Sequence, residues 1–328
     1  MSSAPEISVI IPTYNRAKSL TKTLEALSHQ TLSSEQYEVI VVDDCSTDDT
    51  ERSVSDFVSA HSGMCLRYER HHTNRFRAAA CNTGAKIARG DVIVFTDDDI
   101  RPVPEWLEAH LSRHRLEKTV VSVTGLVLYP TEWEKQSNWV RFANANYRKN
   151  EILEQNGRLP PQRLAGGNTS LCRQVFIMVG MFDERRRRGQ DGDLAWRLYL
   201  KGIPLVYESK ALVYHYSEII LSIEQTLGSF RRFYEYDYRS IYARYPAFLQ
   251  KYGHWFLSPI DSRYDNFARV LAKLIVRIIA RRSVQSLMIR VAQVTDRYPL
   301  LYWRPLYQYI LVCEAMDAIR ASYKRCND

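Results

Sequence analysis

The sequence predicts an α/β fold built on a mixed central sheet and followed by a C-terminal helical region. Short β-branched runs alternate with segments of helical periodicity over the first hundred residues, the pattern turns mixed beyond Asp99, and strand signals stop near Ser222. The 328 residues exceed a typical single domain but suit one α/β unit with an appendage. The expected division is 1–221, with halves over about 1–100 and 101–221, and then 222–328.

The elements follow in chain order. ISVII from Ile7, YEVIVV from Tyr37, LRYE from Leu66 and DVIVF from Asp91 are strand-like, and their spacing points to βαβ units around parallel strands. Leu20, Leu24 and Leu27 recur at helical spacing between the first two strands. After the second strand, Ser46 or Thr47 is the expected cap of a helix whose first turn carries Asp48 and Asp49, and a third helix is expected over residues 78–88, closed by Gly90. Further on come a helix through Trp106 and Leu111, strands near 120–128 and 165–172, and a helix opening at Asp191. In FARVLAKLIVRIIARR, Arg269, Lys273, Arg277 and Arg281 form one helical stripe, and Phe267, Val270, Leu271, Leu274, Ile275 and Ile278 fill the rest. This basic amphipathic helix is expected either to lie on an anionic membrane surface or to pack its apolar face on the α/β unit or on a second copy of the chain, as a homo-oligomer. The aromatic run YPLLYWRPLYQYI suits either.

Composition sets limits. Hydrophobic residues at 45% and charged residues at 25% exclude disorder and fibrous repeats. A net charge of +8 attracts nucleotide phosphates, anionic lipid or nucleic acid without choosing among them. Cys45, Cys65, Cys81, Cys172, Cys313 and Cys326 show neither a CxxC pair nor finger spacing and read as reduced thiols. MSSAPEISVII has no signal-peptide pattern, and no uncharged apolar run reaches 18 residues. A cytoplasmic location, or one at the inner face of the membrane, is therefore the expectation, with any membrane contact peripheral.

The chemistry is expected at the carboxyl ends of the strands, where open α/β sheets bind ligands. Three strand ends carry polar residues: Pro12, Thr13, Tyr14 and Asn15; Asp43 and Asp44; Asp97, Asp98 and Asp99. The first group offers backbone donors and an aromatic ring for a base, the second a carboxylate for a base N–H or ribose hydroxyl, and the third hard oxygen ligands for Mg²⁺ or Mn²⁺. An aspartate triplet alone would read as a solvated loop; the ordered set carries the functional reading.

VIIPTYNR, VIVVDDCSTDDT, FTDDDI, GGNTSLCR and FDERRRRGQDGDLAWRLYLKG, in that order over about 7–216, resemble the family 2 glycosyltransferases of GT-A fold. The resemblance implies a GT-A type nucleotide-binding (Rossmann-like) sandwich, with a nucleotide-binding half followed by an acceptor half. It implies an inverting transfer of a sugar from a nucleotide-diphosphate donor, by preference a UDP-sugar, to a hydroxyl of a saccharide or lipid-linked acceptor. Pro12, Thr13, Tyr14 and Asn15 would then hold the nucleoside, Asp43 or Asp44 would read the base, and Asp97 and Asp98 would face the donor. Asp99, from the DxD-type motif, and His215 would hold the Mn²⁺ or Mg²⁺, and Asp191 would be the catalytic base. The chain departs from the family pattern at Cys81 in ACNTG, where an arginine is usual, and at Gln190, where Glu is usual. Asn82 stays on the donor side, and Arg77, with Arg75 nearby, could restore the lost positive charge beside the diphosphate. Gly167, Asn168, Arg187, Arg188, Gln190 and Trp106 are the acceptor-side candidates, although Trp106 also has the spacing of a core residue. Gly166 belongs to the same loop, and the arginines from Arg185 to Arg188 would suit a phosphate-bearing acceptor.

Two rival readings remain. Cys81 and Gln190 would also suit a nucleotide-sugar binding module without turnover. A pyrophosphorylase would need a glycine-rich loop after the first strand, which PTYNRAK is not. A nucleic-acid partner is not expected, because it would leave the acidic motifs without a role.

Overall fold

The computed structural model describes residues 4–154, 158–247, 250, 255–258 and 260–324; Cys326 lies outside them. In chain order the first half contains β1 (Ile7–Thr13), α1 (Ala17–Ser28), β2 (Tyr37–Asp43), α2 (Thr50–Ala60), β3 (Leu66–Arg70), α3 (Phe76–Ile87), β4 (Val92–Thr96), β5 (Ile100–Pro102), α4 (Trp106–Leu116) and β6 (Ser122–Leu128). The second half contains α5 (Thr131–Gln136), α6 (Asn138–Tyr147), α7 (Asn150–Leu153), β7 (Asn168–Cys172), α8 (Arg173–Met178), α9 (Gln190–Leu200), β8 (Leu205–His215), α10 (Ile223–Arg232), α11 (Tyr238–Arg244), α12 (Phe267–Ile279), α13 (Arg282–Thr295) and α14 (Arg304–Lys324). The chain divides into two units, Met1–Leu128 with Tyr147–Tyr216, and Tyr129–Asn146 with Ser217–Asp328.

The first unit is an α/β sandwich around eight strands in the order β3-β2-β1-β4-β7-β6-β8-β5. β1 runs parallel to β2 and β4, and β2 to β3. β7 is antiparallel to both neighbours, β8 is parallel to β6, and β5 is antiparallel to β8, so the sheet is mixed. β1, β2 and β6 are buried along their whole length. A strand covered on both faces needs an unbroken apolar run, which is why these segments read as β-branched runs without alternation. Along β1 the two faces separate cleanly. Ile7, Val9 and Ile11 pack with Leu20, Leu24 and Leu27 of α1, whereas Ile10 packs with Ala78, Cys81 and Ala85 of α3. The α3 face is lined with small residues because the helix lies close: a Cβ on Gly84 would stand 2.5 Å from Ile10 Cγ2.

Two helix starts differ from the sequence expectation. α2 begins at Thr50, with Asp49 in the cap position, and neither Ser46 nor Thr47 caps it. Ser46 Oγ instead accepts from the Asn15 N–H, and Asp48 accepts from the Ala17 and Thr50 N–H groups. The polar residues after β2 thus tie its loop to the loop after β1. α3 starts at Phe76, two residues before the expected position.

Asn168 is the polar hub of this unit. It is buried, and its Oδ1 accepts from Trp106 Nε1 at 2.8 Å and from His110 Nε2 at 2.9 Å, while its Nδ2 donates to the carbonyls of Leu126 and Ala211. The two carbonyl acceptors fix which end of the amide is which, so His110 must carry its proton on Nε2 while Nδ1 accepts from Ser170 Oγ. Burial pushes the His110 imidazole down to about 3, and it stays neutral. Trp106 is fully buried as well. The polar atoms of Asn168 and Trp106, both named as acceptor-side candidates, go to joining α4 to β6, β7 and β8, and Trp106 takes the core position that its spacing also suggests.

The second unit is helical. Trp139, Val140 and Phe142 of α6 pack with Ile223 and Leu227 of α10, Ala292 of α13, and Leu306, Tyr307 and Ile310 of α14. Arg231 pairs with Glu314 at 2.5 Å and Asp317 at 2.7 Å, joining α10 to α14. The expected basic stripe on α12 is broken: Lys273 is fully buried and pairs with Asp265 at 2.5 Å. Phe267, Leu271, Leu274, Ile275 and Ile278 face outward. Among the described residues no helix is long and apolar enough to cross a membrane.

Replacing Asn168 by Ala strands two buried donors and two carbonyls. It is expected to lower unfolding stability by at least about 3 kcal/mol, read as a fall in the urea midpoint. A midpoint within experimental error of the wild type would remove the hub.

Candidate functional site

The sheet order places β1 between β2 and β4, so chains leaving the carboxyl end of β1 and of its neighbours diverge there and open a crevice. A cavity of about 550 Å³ occupies it. Pro12, Thr13 and Tyr14 line it from the end of β1, Asp97, Asp98 and Asp99 from the end of β4, and Phe76 and Arg77 from the start of α3. The loop after β1 turns sharply because Asn15 takes a left-handed backbone (φ 53°), and its side-chain oxygen accepts from the Thr47 N–H at 2.7 Å. That turn leaves Tyr14 half-exposed at the cavity and sends Arg16 back across it.

Arg16 Nε lies 3.3 Å from Asp98 Oδ1, and its Nη2 donates to Asp99 Oδ2 at 2.9 Å. Thr13 Oγ1 donates to Asp98 Oδ2 at 2.7 Å. Burial dominates at Asp98 and pushes its carboxyl up to about 7 despite Arg16 and Thr13. Burial acts the same way on Asp99, but His215 and Arg16 outweigh it and hold Asp99 below the ordinary carboxylate range. His215 arrives because the last residue of β8 is in register with Ile100, the first of β5. Its Nε2 stands 3.1 Å from Asp99 Oδ1, and although burial disfavours the charged ring, Asp99 raises the imidazole's proton affinity overall. These two atoms form the pair that could hold a divalent cation. Among the described residues no group of three or more His, Cys, Asp or Glu side chains makes a ready-made cage, so a cation here would need oxygens from a ligand.

A second cation serves the other carboxylates. Arg77 Nε donates to Asp97 Oδ1 at 2.8 Å, Nη2 donates to the Gly166 carbonyl at 3.0 Å, and Nη1 stands 3.7 Å from Asp191 Oδ1. The Gly166-Gly167 loop passes between the two acids. A Cβ on Gly166 would collide with the Asp191 carboxyl, and one on Gly167 would come within 2.5 Å of Asp97 Oδ2. Glycine is the only residue this close passage admits. Asp191 lies in the first turn of α9, behind Arg77 and off the cavity wall, and its Oδ1 is covered without a hydrogen-bond partner. Burial raises its proton affinity, with Asp97 adding to the rise and Arg77 opposing it.

Of the other residues singled out in the sequence, Asp44 and Arg188 line the cavity and the rest do not. Asp43 is fully buried and accepts from the Ser46 N–H and the Tyr68 hydroxyl, with Arg70 at 3.7 Å. Asp44 does line the cavity, but its oxygens accept from the Arg75 and Phe76 N–H groups and pair with His71 at 2.8 Å, holding the start of α3 in place. Asn82, named for the donor side, is buried, donates to the Phe182 carbonyl and to Glu184, accepts from the Phe182 N–H, and so pins the turn before the arginine run. Cys81 is buried against the sheet, and burial drives its thiol up to about 12, as suits a small packing residue. Gln190 is buried at the start of α9. The arginine run splits. Arg185 and Arg186 pair with Asp183, Arg187 stacks over the Phe76 ring at 4.5 Å, and Arg188 lines the cavity.

Sequence reasoning missed Arg16, Asn74, Phe76 and Ala80 on the cavity wall. Arg16 stood inside the PTYNR motif and could have been singled out. Phe76, at a left-handed φ of 67°, had no sequence signal.

Residues 8–177, just over half of the chain, match the family described as Glycosyl transferase family 2. The chain is 33% identical over 214 residues to the pre-mycofactocin glycosyltransferase of Mycobacterium tuberculosis, an alignment covering 64% of the chain and 42% of that relative. The chain thus spans under half the length of that relative. Among solved structures it is similar in fold to the Pyrobaculum calidifontis mannosyltransferase PcManGT in complex with GDP-Man and Mn²⁺ (TM-score 0.67, 16% identity, covering 100% of the chain and 89% of that protein). It is also similar to residues 1–349 of TarS from S. aureus in complex with UDP (TM-score 0.53, 20% identity, covering 98% and 92%). Strand-end motifs, mixed sheet and family match agree, and the chain belongs to glycosyl transferase family 2.

Proposed function

We propose that the chain transfers a sugar from a nucleotide-diphosphate donor, a UDP-sugar in our reading, to a hydroxyl of a saccharide or lipid-linked acceptor, with inversion at the anomeric carbon. The observation that carries this is the convergence of Asp97, Asp98 and Asp99 with Arg16, Arg77 and His215 in one cavity at the ends of β1 and β4. Family membership and the nucleotide or nucleotide sugar held by the two solved structures support the donor class.

Tyr14 and Phe76 are the aromatic rings on the cavity wall that a base or sugar would meet, and Arg16, Arg77 and Arg188 are the cations on that wall that a diphosphate would meet. Asp99 and His215 are the residues that would hold a divalent cation, Mg²⁺ or Mn²⁺, together with oxygens from outside the chain. The chemistry such a cation supplies when bound is to offset the charge that builds on the leaving diphosphate. His215 must give up its Nε2 proton for that role, and Arg16 must share Asp99 Oδ2. Asp191 takes the proton of the acceptor hydroxyl as its oxygen bonds to the anomeric carbon and the nucleoside diphosphate leaves with the electron pair of the broken bond. One base and one displacement, with no nucleophile of the chain itself bonded to the sugar, give inversion. The burial that raises the proton affinity of Asp191 makes it a better acceptor of that proton than a solvated aspartate.

Asp99→Ala is expected to lower the transfer rate by about two to three orders of magnitude, as loss of a charge-stabilising group does. Asp97→Ala, which frees Arg77, is expected to weaken donor binding as well. Transfer assayed across nucleotide sugars with Mn²⁺ checks both, and an unchanged rate in Asp99→Ala contradicts the assignment.

Asp191→Asn is expected to leave donor affinity unchanged while kcat falls by about 10²- to 10⁴-fold. A base acts deprotonated, so kcat in the wild type should rise with pH through the raised Asp191 value, above the ordinary 3.8 of aspartate. Arg77 opposes that rise, so Arg77→Gln should move the limb to still higher pH. An acid limb indifferent to both substitutions would assign the base elsewhere.

A further inference from the structure

The C-terminal unit exposes apolar side chains where a folded chain would normally bury them. On α12, Phe267, Leu271, Leu274, Ile275 and Ile278 fall on one helical stripe and all face outward, Phe267 being 83% exposed. On α13, Val284, Leu287, Val291 and Val294 form a second outward stripe. In the turn between α13 and α14, Leu300 is 99% exposed, and Leu301 and Trp303 are exposed beside it. These segments meet: Ile278 and Ile279 of α12, Val284 of α13 and Trp303 line one shallow groove. Scattered apolar residues on a surface need no explanation, but a connected set of this extent does.

Charge accompanies the apolar set. Between Phe267 and Arg304 the chain has eight Lys and Arg residues against the single Asp296, so this stretch holds seven of the eight net positive charges of the whole sequence. Lys273 is spent on Asp265, but Arg281, Arg290 and Arg297 are exposed. The rest of the chain sums to about +1, so most of the net charge lies in this stretch, and Arg281, Arg290 and Arg297 carry part of it to the surface. The burial of Lys273 sharpens the picture, because α12 turns its central cation inward and its leucines and isoleucines outward.

We propose that α12, α13 and the turn through Trp303 form an interfacial surface that binds an anionic lipid bilayer, independently of the transfer chemistry proposed above. The outward leucines, isoleucines and phenylalanine enter the boundary between headgroups and acyl chains, Tyr298 and Trp303 sit at headgroup level, and Arg281, Arg290 and Arg297 meet the lipid phosphates. A second copy of the chain is the poorer occupant. A two-fold interface would lay this surface against itself and oppose like charge with like charge, whereas an anionic bilayer supplies the missing sign.

The test is sedimentation of the full chain with vesicles of phosphatidylcholine alone or mixed with phosphatidylglycerol. Binding is expected only with phosphatidylglycerol, and it should weaken as salt shortens the Debye length from ~10 Å to ~3 Å. R290E/R297E is expected to weaken partitioning at least ~30-fold, the equivalent of about 1 kcal/mol for each cation lost. Leu300→Asp combined with Trp303→Ser is expected to abolish binding. All four side chains are exposed, and unchanged melting curves will show that the fold is kept. Equal binding to neutral vesicles, or no binding to anionic ones, overturns the proposal. So does a concentration-dependent dimer in analytical ultracentrifugation that the same substitutions dissolve, which would assign the surface to a second copy.

Discussion

Three carboxylates in one crevice, with a fourth behind its wall, set the terms for the rest of the α/β unit. Asp97 and Asp99 both repel Asp98, Asp97 also repels Asp191, and Asp98 and Asp99 are almost fully buried. Such a group persists only if cations and hydrogen-bond donors face it, since an uncompensated buried charge costs several kcal/mol. The chain supplies them from distant elements: Arg16 from the turn after β1, Arg77 from the first turn of α3, and His215 from the end of β8. Each must be held by its own backbone, and much of the surrounding architecture does that.

The supports are local and specific. Asn15 adopts its left-handed turn and locks onto Thr47 and Ser46, aiming Arg16 at Asp98 and Asp99. Asp44 fixes the entry of α3 through two backbone N–H groups and His71, and so places Arg77 beside Asp97. The paired glycines at 166 and 167 let the backbone pass between Asp97 and Asp191, which leaves Arg77 to bridge both. Behind this loop, Asn168 secures β7 and α4 with side-chain hydrogen bonds that no apolar residue could make. Asp44 and Asn168, one beside the site and one beneath it, thus act through the residues they position.

The parallel strands were readable in the amino-acid sequence because burial on both faces demands uninterrupted β-branched runs, and ISVII and YEVIVV are such runs. The strand-end motifs were readable because ligand sites in these sheets gather at carboxyl ends, and Thr13, Tyr14 and the aspartate triplet do line the cavity. What escaped depended on direction. Asn168 falls within the expected strand near 165–172, but strand spacing does not say where its amide goes, and β7 begins with it and turns that amide under Trp106. Lys273 shares a stripe with Arg269 and Arg277, but helical spacing does not say which side of a helix faces inward, and the partner that draws it in, Asp265, precedes the helix. Asp43 and Asp44 were an open choice in sequence, and only the folded loop shows that Asp44 reaches the cavity wall.

In the reading proposed above, a divalent ion and a diphosphate would enter together and complete this acidic cluster, alongside the chain's own cations. Asp99 and His215 offer only two ligands, so neither the ion nor the nucleotide should bind well alone. Calorimetric titration of Mn²⁺ in the absence and presence of UDP, and of UDP in the absence and presence of Mn²⁺, measures this directly. Each ligand is expected to tighten the other by the same factor, about tenfold or more, as linkage requires. Affinities for Mn²⁺ and UDP that are indifferent to one another would contradict the account.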